Sequence, residues 1–360
     1  MSAFLTPPPT PDSPTPDVTV VVPVRNEGAH VVAVLEDLLG QEAGGPTFEV
    51  LVVDGRSTDD TRERVREVAG RDPRVALLDN PQQLSSAARA LGTRMARGRY
   101  VAVVDGHCRL PTTTLLADMV DLFERTGAQC LARPQPLVPE LEGGWARAIA
   151  AARTSPFGHS TQSTIYDDRE RPVDPTSAGA MYRREVFDQV GTFDPAFDAC
   201  EDVELNWRCA KAGLSCWTSP KLAIQYEPRR SPRALLRQMV RYGLGRARLH
   251  RKHPSAFTWE SLIPAIFTAG LVPAVVGVLA FHGPLQVLAA TPLALYLAAD
   301  LVFSFLTALA KGVTLFPRLL LVFPVIHLGL GWGYLKGWLT RPPRAADVAS
   351  APAPPEAATS

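Results

Sequence analysis

The sequence predicts an α/β chain: a mostly parallel sheet covered by helices, followed by a basic interfacial helix and about three transmembrane helices. Three observations predict it. The runs "VTVVVPV", "FEVLVVD", "RVALLD" and "YVAVVD" are β-branched and apolar throughout, as strands buried on both faces are. Amphipathic stretches with apolar residues at three- and four-residue spacing separate them, so each crossover is a helix. After about residue 260, three nearly uncharged segments of roughly twenty residues or more are each long enough to cross a bilayer.

The elements follow in order. Residues 1–17, "MSAFLTPPPTPDSPTPD", are proline-rich, lack Lys and Arg, and hold no sustained apolar run. They read as a disordered tail and not as a signal peptide. The α/β domain spans 18–228, with helices expected at "HVVAVLEDLLGQ", "STDDTRERVREVAG", "SSAARALGTRMARG" and "TTTLLADMVDLFERTG". In open parallel sheets the ligand sits at the carboxyl ends of strands, where Asp54 and Asp105 fall. Residues 229–259 are densely basic. Within them Leu235, Leu236, Met239, Val240, Leu244 and Leu249 form an apolar helical face, a pattern for a helix lying in the membrane interface with its arginines toward lipid phosphates. Residues 260–339 hold the spans, and 340–360 read as a second disordered tail.

Basic residues orient the chain. The stretch before the first span is rich in arginine, and the loop around "HGPL" has no Lys or Arg. The chain is therefore expected in the cell membrane, multi-pass, with the α/β domain in the cytoplasm. Three spans would put the C-terminus outside, yet Lys336, Arg341 and Arg344 lie there; a re-entrant last segment would remove the conflict. Asp300, inside a span, is either a functional acid or a structural polar contact.

Composition excludes some partners. The 360 residues carry a formal net charge of +1, so no global positive field gathers nucleic acid. Cys108, Cys130, Cys200, Cys209 and Cys216 are odd in number and form no C-x-x-C pair. Reduced thiols are expected, with no zinc site and no disulfide framework.

Three acidic stretches carry the candidate chemistry. In "VVDGHC", Asp105 and His107 stand two apart and can face one ion, and the glycine between them lets backbone approach a ligand. A carboxylate with an imidazole suits Mn²⁺ or Mg²⁺; alone, Asp-Gly would only mark a turn. In "VVDGRSTDDT", Ser57, Thr58 and Asp59 can cap the next helix, which leaves Asp54 free to accept hydrogen bonds from a base or ribose. In "FDACEDVELNWRCAKAG", Glu201 and Asp202 open a helix where acids favour the dipole, and Glu204 with Arg208 reads as a surface pair. Neither a G-x-G-x-x-G nor a P-loop motif occurs.

Taken together, these residues resemble family 2 glycosyltransferases of the GT-A fold, over about Val18 to Tyr242. "VVPVRNE" resembles the opening strand of that family, "VVDGRSTDDT" its nucleotide site and "VVDGHC" its D-x-D metal motif with His107 for the last acid. "SAGAMYRREVFDQVGTFDP" resembles the segment lining donor and acceptor, "CEDVELNWR" the E-D motif with the catalytic base, and "QMVRY" the Q-x-x-R-W motif. The D-x-H form, "DNP" at Asp79 to Pro81 and the trailing hydrophobic spans look most like succinoglycan-type exopolysaccharide glycosyltransferases.

The resemblance implies an inverting, membrane-anchored transferase using a nucleotide-sugar donor, a divalent metal and a saccharide or lipid-linked acceptor at the membrane lipids. Pro23, Arg25, Glu27, Asp54, Arg89, Asp105, Gly179 and Ala180 would line the nucleotide-sugar site. Asp105 and His107 would hold the metal, and Asp202 would be the general base. Glu201, Gln238, Arg241 and Tyr242 would lie at the acceptor or interface. Tyr242 replaces Trp, which argues against processive synthesis, and Ala90 replaces the asparagine of the "ARNxG" helix. Other readings are a polyprenyl-phosphate glycosyltransferase, a nucleotidyltransferase, for which "PVRNEGAH" is a poor phosphate loop, and a non-catalytic membrane scaffold with a retained nucleotide-binding fold.

Overall fold

The computed structural model describes residues 5–6, 14–137, 143–160, 163–177, 179–197 and 199–340. The expected tails lie mostly outside the described residues. Within the first, the Leu5 N–H donates to the Leu77 carbonyl at 2.7 Å and the Leu77 N–H donates to Thr6 Oγ1 at 2.9 Å.

The first half alternates as expected: β1 (Val18–Val24), α1 (Val31–Leu39), β2 (Phe48–Asp54), α2 (Thr61–Arg71), β3 (Val75–Asp79), α3 (Ser85–Met95), β4 (Tyr100–Val103) and α4 (Leu115–Thr126). Then come β5 (Cys130–Ala132), α5 (Gly144–Arg153), β6 (Arg171–Val173), β7 (Gly179–Arg183), α6 (Glu185–Val190), α7 (Glu201–Lys211) and β8 (Cys216–Thr218). The long helices α8 (Pro232–Lys252), α9 (Trp259–Ala280), α10 (Pro284–Lys311) and α11 (Phe316–Leu339) follow.

One sheet runs β3-β2-β1-β4-β7-β5-β8-β6. Among its strands, β1 to β4 are mutually parallel, and so are β5 and β8. Only β7 and β6 run against their neighbours. The sheet is mostly parallel because its covering helices feed successive strands in the same direction. Consecutive strand residues enter opposite cores. Val50 and Val52 pack with α1, α2 and α4; Leu51 and Val53 pack on the other face with α3, α6 and α7. Both faces are dry, so each strand reads as an unbroken apolar run. Each fully buried valine or leucine contributes about 1.5–3 kcal/mol.

The C-terminal helices do more than anchor. α9, α10 and the segment Val313–Leu339 are each long and apolar enough to cross a membrane. The face of α8 expected to meet lipid is largely covered by protein. Leu235 and Met239 share one cluster with Leu319, Val322, Phe323 and Ile326 of α11 and with Ala148, Ile149 and Ala152 of α5; Leu236 stays exposed. Glycines allow this approach. A Cβ at Gly333 would fall 2.1 Å from the Val240 carbonyl oxygen, and one at Gly337 would fall 2.6 Å from Ala247 Cβ. α11 touches α5 of the α/β domain near its start and α8 at its end. Arg318 lies over the Trp145 ring of α5 at 5.8 Å, and Arg251 of α8 donates to the Gly337 and Thr340 carbonyls at 3.1 and 2.8 Å.

Candidate active site

The site forms where β1, β2 and β4 release their chains. Pro23 stands beyond the last β1–β4 pairing, Val21 with Val103, so its missing N–H costs no ladder bond. The next three residues turn sharply, with Asn26 at φ 55°. The Asn26 N–H donates to Ser57 Oγ at 2.9 Å, the Glu27 N–H donates to Thr61 Oγ1 at 2.8 Å, and the Thr58 N–H donates to Asn26 Oδ1 at 2.8 Å. Ser57 and Thr58, expected as helix caps, instead join Thr61 in tying the loop after β1 to the loop after β2, while Asp59 Oδ1 does accept from the Thr61 N–H at 3.1 Å at the start of α2. The N-cap of α2 is Asp60, without a side-chain cap bond.

Asp54 is not a free acceptor. Its carboxylate is fully buried and accepts from the Ser57 N–H at 2.9 Å and from Arg62 Nε at 3.0 Å. Arg62 in turn donates to Asp79 at 2.6 Å. Asp54 does lie before the capping position, but the expectation that this leaves it free fails because its side chain folds back onto its own loop. Arg25 donates to the Gln83 carbonyl and side chain at 3.2 and 2.8 Å.

Asp105 and His107 lie on a turn, not on an extended strand: the Cys108 N–H donates to the Asp105 carbonyl at 3.1 Å. Gly106 serves packing more than ligand approach, since a Cβ there would fall 2.6 Å from Val24 Cγ1. His107 Nδ1 is 3.0 Å from Glu27 Oε1, and its ring stands edge-on to Tyr226 at 5.3 Å. Burial disfavours the imidazolium, but the Glu27 hydrogen bond and the Asp105 charge outweigh it and raise the His107 pKa. Burial likewise works to raise the Asp105 carboxyl, and the charges of Arg89, His107 and Arg133 pull it below its ordinary value.

Arg89 joins the two halves of the site. From α3 its Nη2 donates to Asp105 Oδ1 at 2.6 Å, and its Nε lies 3.4 Å from Glu201 Oε1. Burial opposes the guanidinium charge, and Asp105, Glu201 and Asp202 together outweigh that and raise the Arg89 pKa. Asp105 and Glu201 therefore meet one cation, although β4 and α7 are far apart in sequence. Glu201 is raised by burial and by its neighbour Asp202, against the pull of Arg89. Asp202 Oδ1 accepts from the Val203 N–H at 2.8 Å at the start of α7, where the helix dipole favours an anion. Cys200 precedes the pair in the left-handed region at φ 63°, a conformation that costs an L-residue about 1–2 kcal/mol.

Gly179 and Ala180 lie on β7. Gly179 accepts from Asn206 Nδ2 at 3.2 Å, and a Cβ there would fall 2.5 Å from Asn206 Oδ1, so β7 can approach α7 only through glycine. Gln238 Nε2 donates to the Tyr242 hydroxyl at 3.2 Å, and the Tyr242 carbonyl lies 3.7 Å from Cys200 Sγ. This puts α8 beside the start of α7, while Arg241 is on the exposed side of α8. Glu204 and Arg208 are a pair, at 2.8 Å, but not on the surface: Glu204 is fully buried and also holds Lys252 and His253 from the end of α8. None of the five cysteines is joined in a disulfide. Asp300 is buried and accepts from Ser304 at 3.3 Å, a structural polar contact.

The donor set fits a divalent ion. His107 Nε2 is buried without a partner, while Glu27 fixes the other ring nitrogen, the usual arrangement for a ligating histidine. Among the described residues no group of three or more His, Cys, Asp or Glu is preassembled to hold a metal. An ion here would take its remaining oxygens from a bound diphosphate, as Mg²⁺ commonly does.

Sequence reasoning missed several residues. Arg62 closes the Asp54–Asp79 pair, and Arg133, almost fully buried, donates to the Val103 carbonyl. Tyr226 reaches His107 from beyond β8. None belongs to a motif, and only the sheet order brings them in.

A mostly parallel sheet with converging acids and a metal-competent imidazole at its carboxyl ends defines a nucleotide-sugar-dependent transferase of GT-A architecture. The comparisons agree. The family described as Glycosyl transferase family 2 matches residues 19–191. The succinoglycan biosynthesis protein ExoA of Rhizobium meliloti is 30% identical over 88% of this chain and 93% of its own length. A dolichyl N-acetyl-alpha-D-glucosaminyl phosphate 3-beta-D-2,3-diacetamido-2,3-dideoxy-beta-D-glucuronosyltransferase of Methanococcus voltae is 21% identical over 89% and 96%. Among solved structures, the mannosyltransferase PcManGT of Pyrobaculum calidifontis, in complex with GDP-Man and Mn²⁺, superposes with a TM-score of 0.61 at 19% identity, covering 91% of this chain and 88% of that one. The chain belongs to glycosyltransferase family 2.

Proposed function

We propose that the protein moves a sugar from a nucleotide-sugar to a lipid-linked saccharide acceptor, with inversion, in the synthesis of an exopolysaccharide or cell-surface glycan. The observation that carries this reading is the Arg89 bridge, which sets the α7 acids opposite the Asp105–His107 pair. A donor diphosphate would lie against Asp105 and His107, which would hold a divalent ion there, Mn²⁺ or Mg²⁺. When bound, that ion offsets the negative charge growing on the leaving diphosphate. Asp202 accepts the proton of the acceptor hydroxyl as its oxygen bonds to the anomeric carbon. The bond from that carbon to the diphosphate breaks, and the nucleoside diphosphate leaves with the electron pair. Arg89 keeps Asp105 ionised and holds both Asp105 and Glu201 in place, and Glu27 orients His107.

Incubating membranes that contain the full chain with labelled UDP-, GDP- and TDP-sugars, followed by lipid extraction, tests this. Label should enter the lipid fraction from one donor and fail to enter with Asp202→Asn. Equal incorporation by that variant overturns the role of Asp202, and no incorporation from any donor overturns the acceptor class.

The α/β domain is inferred to face the cytoplasm, with two crossings and not three. Supporting this, α11 lies against α5 at one end and α8 at the other, so its length is used along the domain. The outer parts of α9 and α10 expose Val272, Val276, Leu279, Leu285 and Leu288. Two crossings also put Lys311, Arg318, Lys336, Arg341 and Arg344 on the arginine-rich side, which satisfies the charge asymmetry that three spans violate. A C-terminal tag should be reached by antibody only after the cells are permeabilised; labelling of intact cells contradicts it.

A further inference from the structure

Beside the metal-competent pair lies a second polar cluster, between the end of α5, His159, Tyr166, Tyr226 and α8. Its centre is Arg153, only 8% exposed. Burial works against its guanidinium charge, which is hydrogen-bonded to the Tyr242 side chain and lies near Tyr166 and Tyr226; among the described residues it forms no ion pair with a carboxylate. A buried cation without an anion is costly, and natural chains rarely keep one idle. Other arginines add to the field: Arg229 donates to the Tyr226 hydroxyl at 3.3 Å, and Arg246 acts with Arg153 on His159.

The cluster also holds unspent hydrogen-bonding capacity. Tyr166 Oη, His159 Nε2 and Gln238 Oε1 are all buried with no partner, and Gln238 is 7% exposed. The Tyr166 and His159 rings lie 5.0 Å apart. His159 is kept neutral by burial and by the two arginines, which lower its pKa to about 4. A neutral imidazole can donate from Nε2 and a tyrosine from its hydroxyl, so two donors stand beside a guanidinium. Gln238 differs. Its amide nitrogen donates to Tyr242, and the oxygen needs a donor. A fully ionised phosphate offers none, whereas a sugar hydroxyl does.

We propose that Arg153, Tyr166 and His159 form a subsite for the phosphate that links the acceptor sugar to its lipid, and that Gln238 accepts a hydrogen bond from a hydroxyl of that sugar. The subsite rests on the reading that the acceptor is lipid-linked. Its position fits: Tyr226 connects it to His107, and Gln238 and Tyr242 lie on α8, which packs against α11. The acceptor's phosphate would thus sit between the donor diphosphate and the helices that meet lipid.

The test uses the full chain in detergent, with farnesyl-diphosphate-linked glucose, farnesyl phosphate and inorganic diphosphate as separate titrants. The parent should bind the saccharide-bearing lipid most tightly. Arg153→Gln should weaken both lipid probes by about tenfold or more, as loss of a charge-assisted pair does, and Arg153→Lys should recover part of that. Tyr166→Phe, the mildest change, should cost about three- to tenfold and keeps the test open if Arg153→Gln does not fold. Gln238→Met should reduce the glucose-bearing probe to the level of farnesyl phosphate and leave farnesyl phosphate unchanged. Affinities of UDP and GDP with Mn²⁺ should stay within about twofold throughout, which separates this cluster from the donor site.

Parental affinity for both lipid probes in Arg153→Gln and Tyr166→Phe overturns the subsite. Inorganic diphosphate binding as tightly as the lipids, with the same Arg153 dependence, assigns the cluster to free phosphate and overturns the acceptor assignment. Sugar transfer with an acceptor KM unmoved by Arg153→Gln removes the subsite and leaves the proposed function standing. Arg153-dependent binding of the lipid probes without transfer from any donor does the reverse.

Discussion

The two ends of the central strands carry the same kinds of polar residue and use them in opposite ways. At the amino ends, Thr19 and Glu49 are buried and fully engaged. Thr19 donates to Glu49 at 2.7 Å and accepts from the Gly98 N–H at 2.9 Å, and Arg97 Nη2 donates to Glu49 at 2.8 Å. At the carboxyl ends, His107 Nε2 has no partner, and Asn26, Arg56, Gln83 and Cys200 all hold left-handed backbone. A closed hydrogen-bond loop is structure. Leftover valence together with stored backbone strain marks the place where something binds.

The comparison can be broken by mutation. The largest effect belongs to the carboxyl end: Asp202→Asn should lower turnover by about 10²- to 10⁴-fold while the midpoint of thermal unfolding barely moves. A matched loss of stability would make Asp202 structural. At the amino end, Glu49→Gln should cost about 1–3 kcal/mol of stability, with kcat per folded molecule unchanged; a catalytic defect there would erase the distinction. Glu204 gives an intermediate effect through pH. Burial opposes its charge, yet Arg208, Lys252 and His253 outweigh it and hold its pKa at about 2. A depressed carboxylate stabilises the fold above its unfolded value, near 4.5, and that stability is lost as pH falls toward 2. Acid titration of unfolding should show that loss, and Glu204→Gln should remove it. The smallest effect is expected from Arg56→Gly, which relieves a φ of 56° and gives up a long, half-exposed contact to Asp79 at 3.5 Å. A gain of up to about 1 kcal/mol is expected; a loss would mean that the contact outweighs the strain.

The same contrast explains what could be read from sequence. β1 to β4 were legible because strands dry on both faces must be continuous apolar runs, and turn residues bound them. β5, β6 and β8 are three residues each, too short for any period to show. β7 enters antiparallel between strands that precede it, an order no local pattern announces. Asp105, His107, Glu201 and Asp202 stood out through their motifs. That Arg89 joins Asp105 to Glu201 needed the fold, as did the engagement of Asp54 by Arg62. Arg153 was invisible for a different reason: in a chain rich in arginine, what distinguishes it is the lack of a carboxylate ion pair among the described residues. The burial of the apolar face of α8 did leave a trace, in glycines four apart at Gly329, Gly333 and Gly337.

That glycine seam ties the long apolar segment into the fold, so that it is not a detachable tether. α8 is held on one side by α11 and on the other by the site, since a Cβ at Gly245 would strike the Ala199 carbonyl at 2.6 Å, two residues before Glu201. A version cut before Trp259 to gain solubility would bare Leu235, Met239 and the backbone of α8 to water. It would also free the wall that holds Gln238 and Tyr242, so a soluble fragment would be a poor surrogate for the enzyme in its membrane.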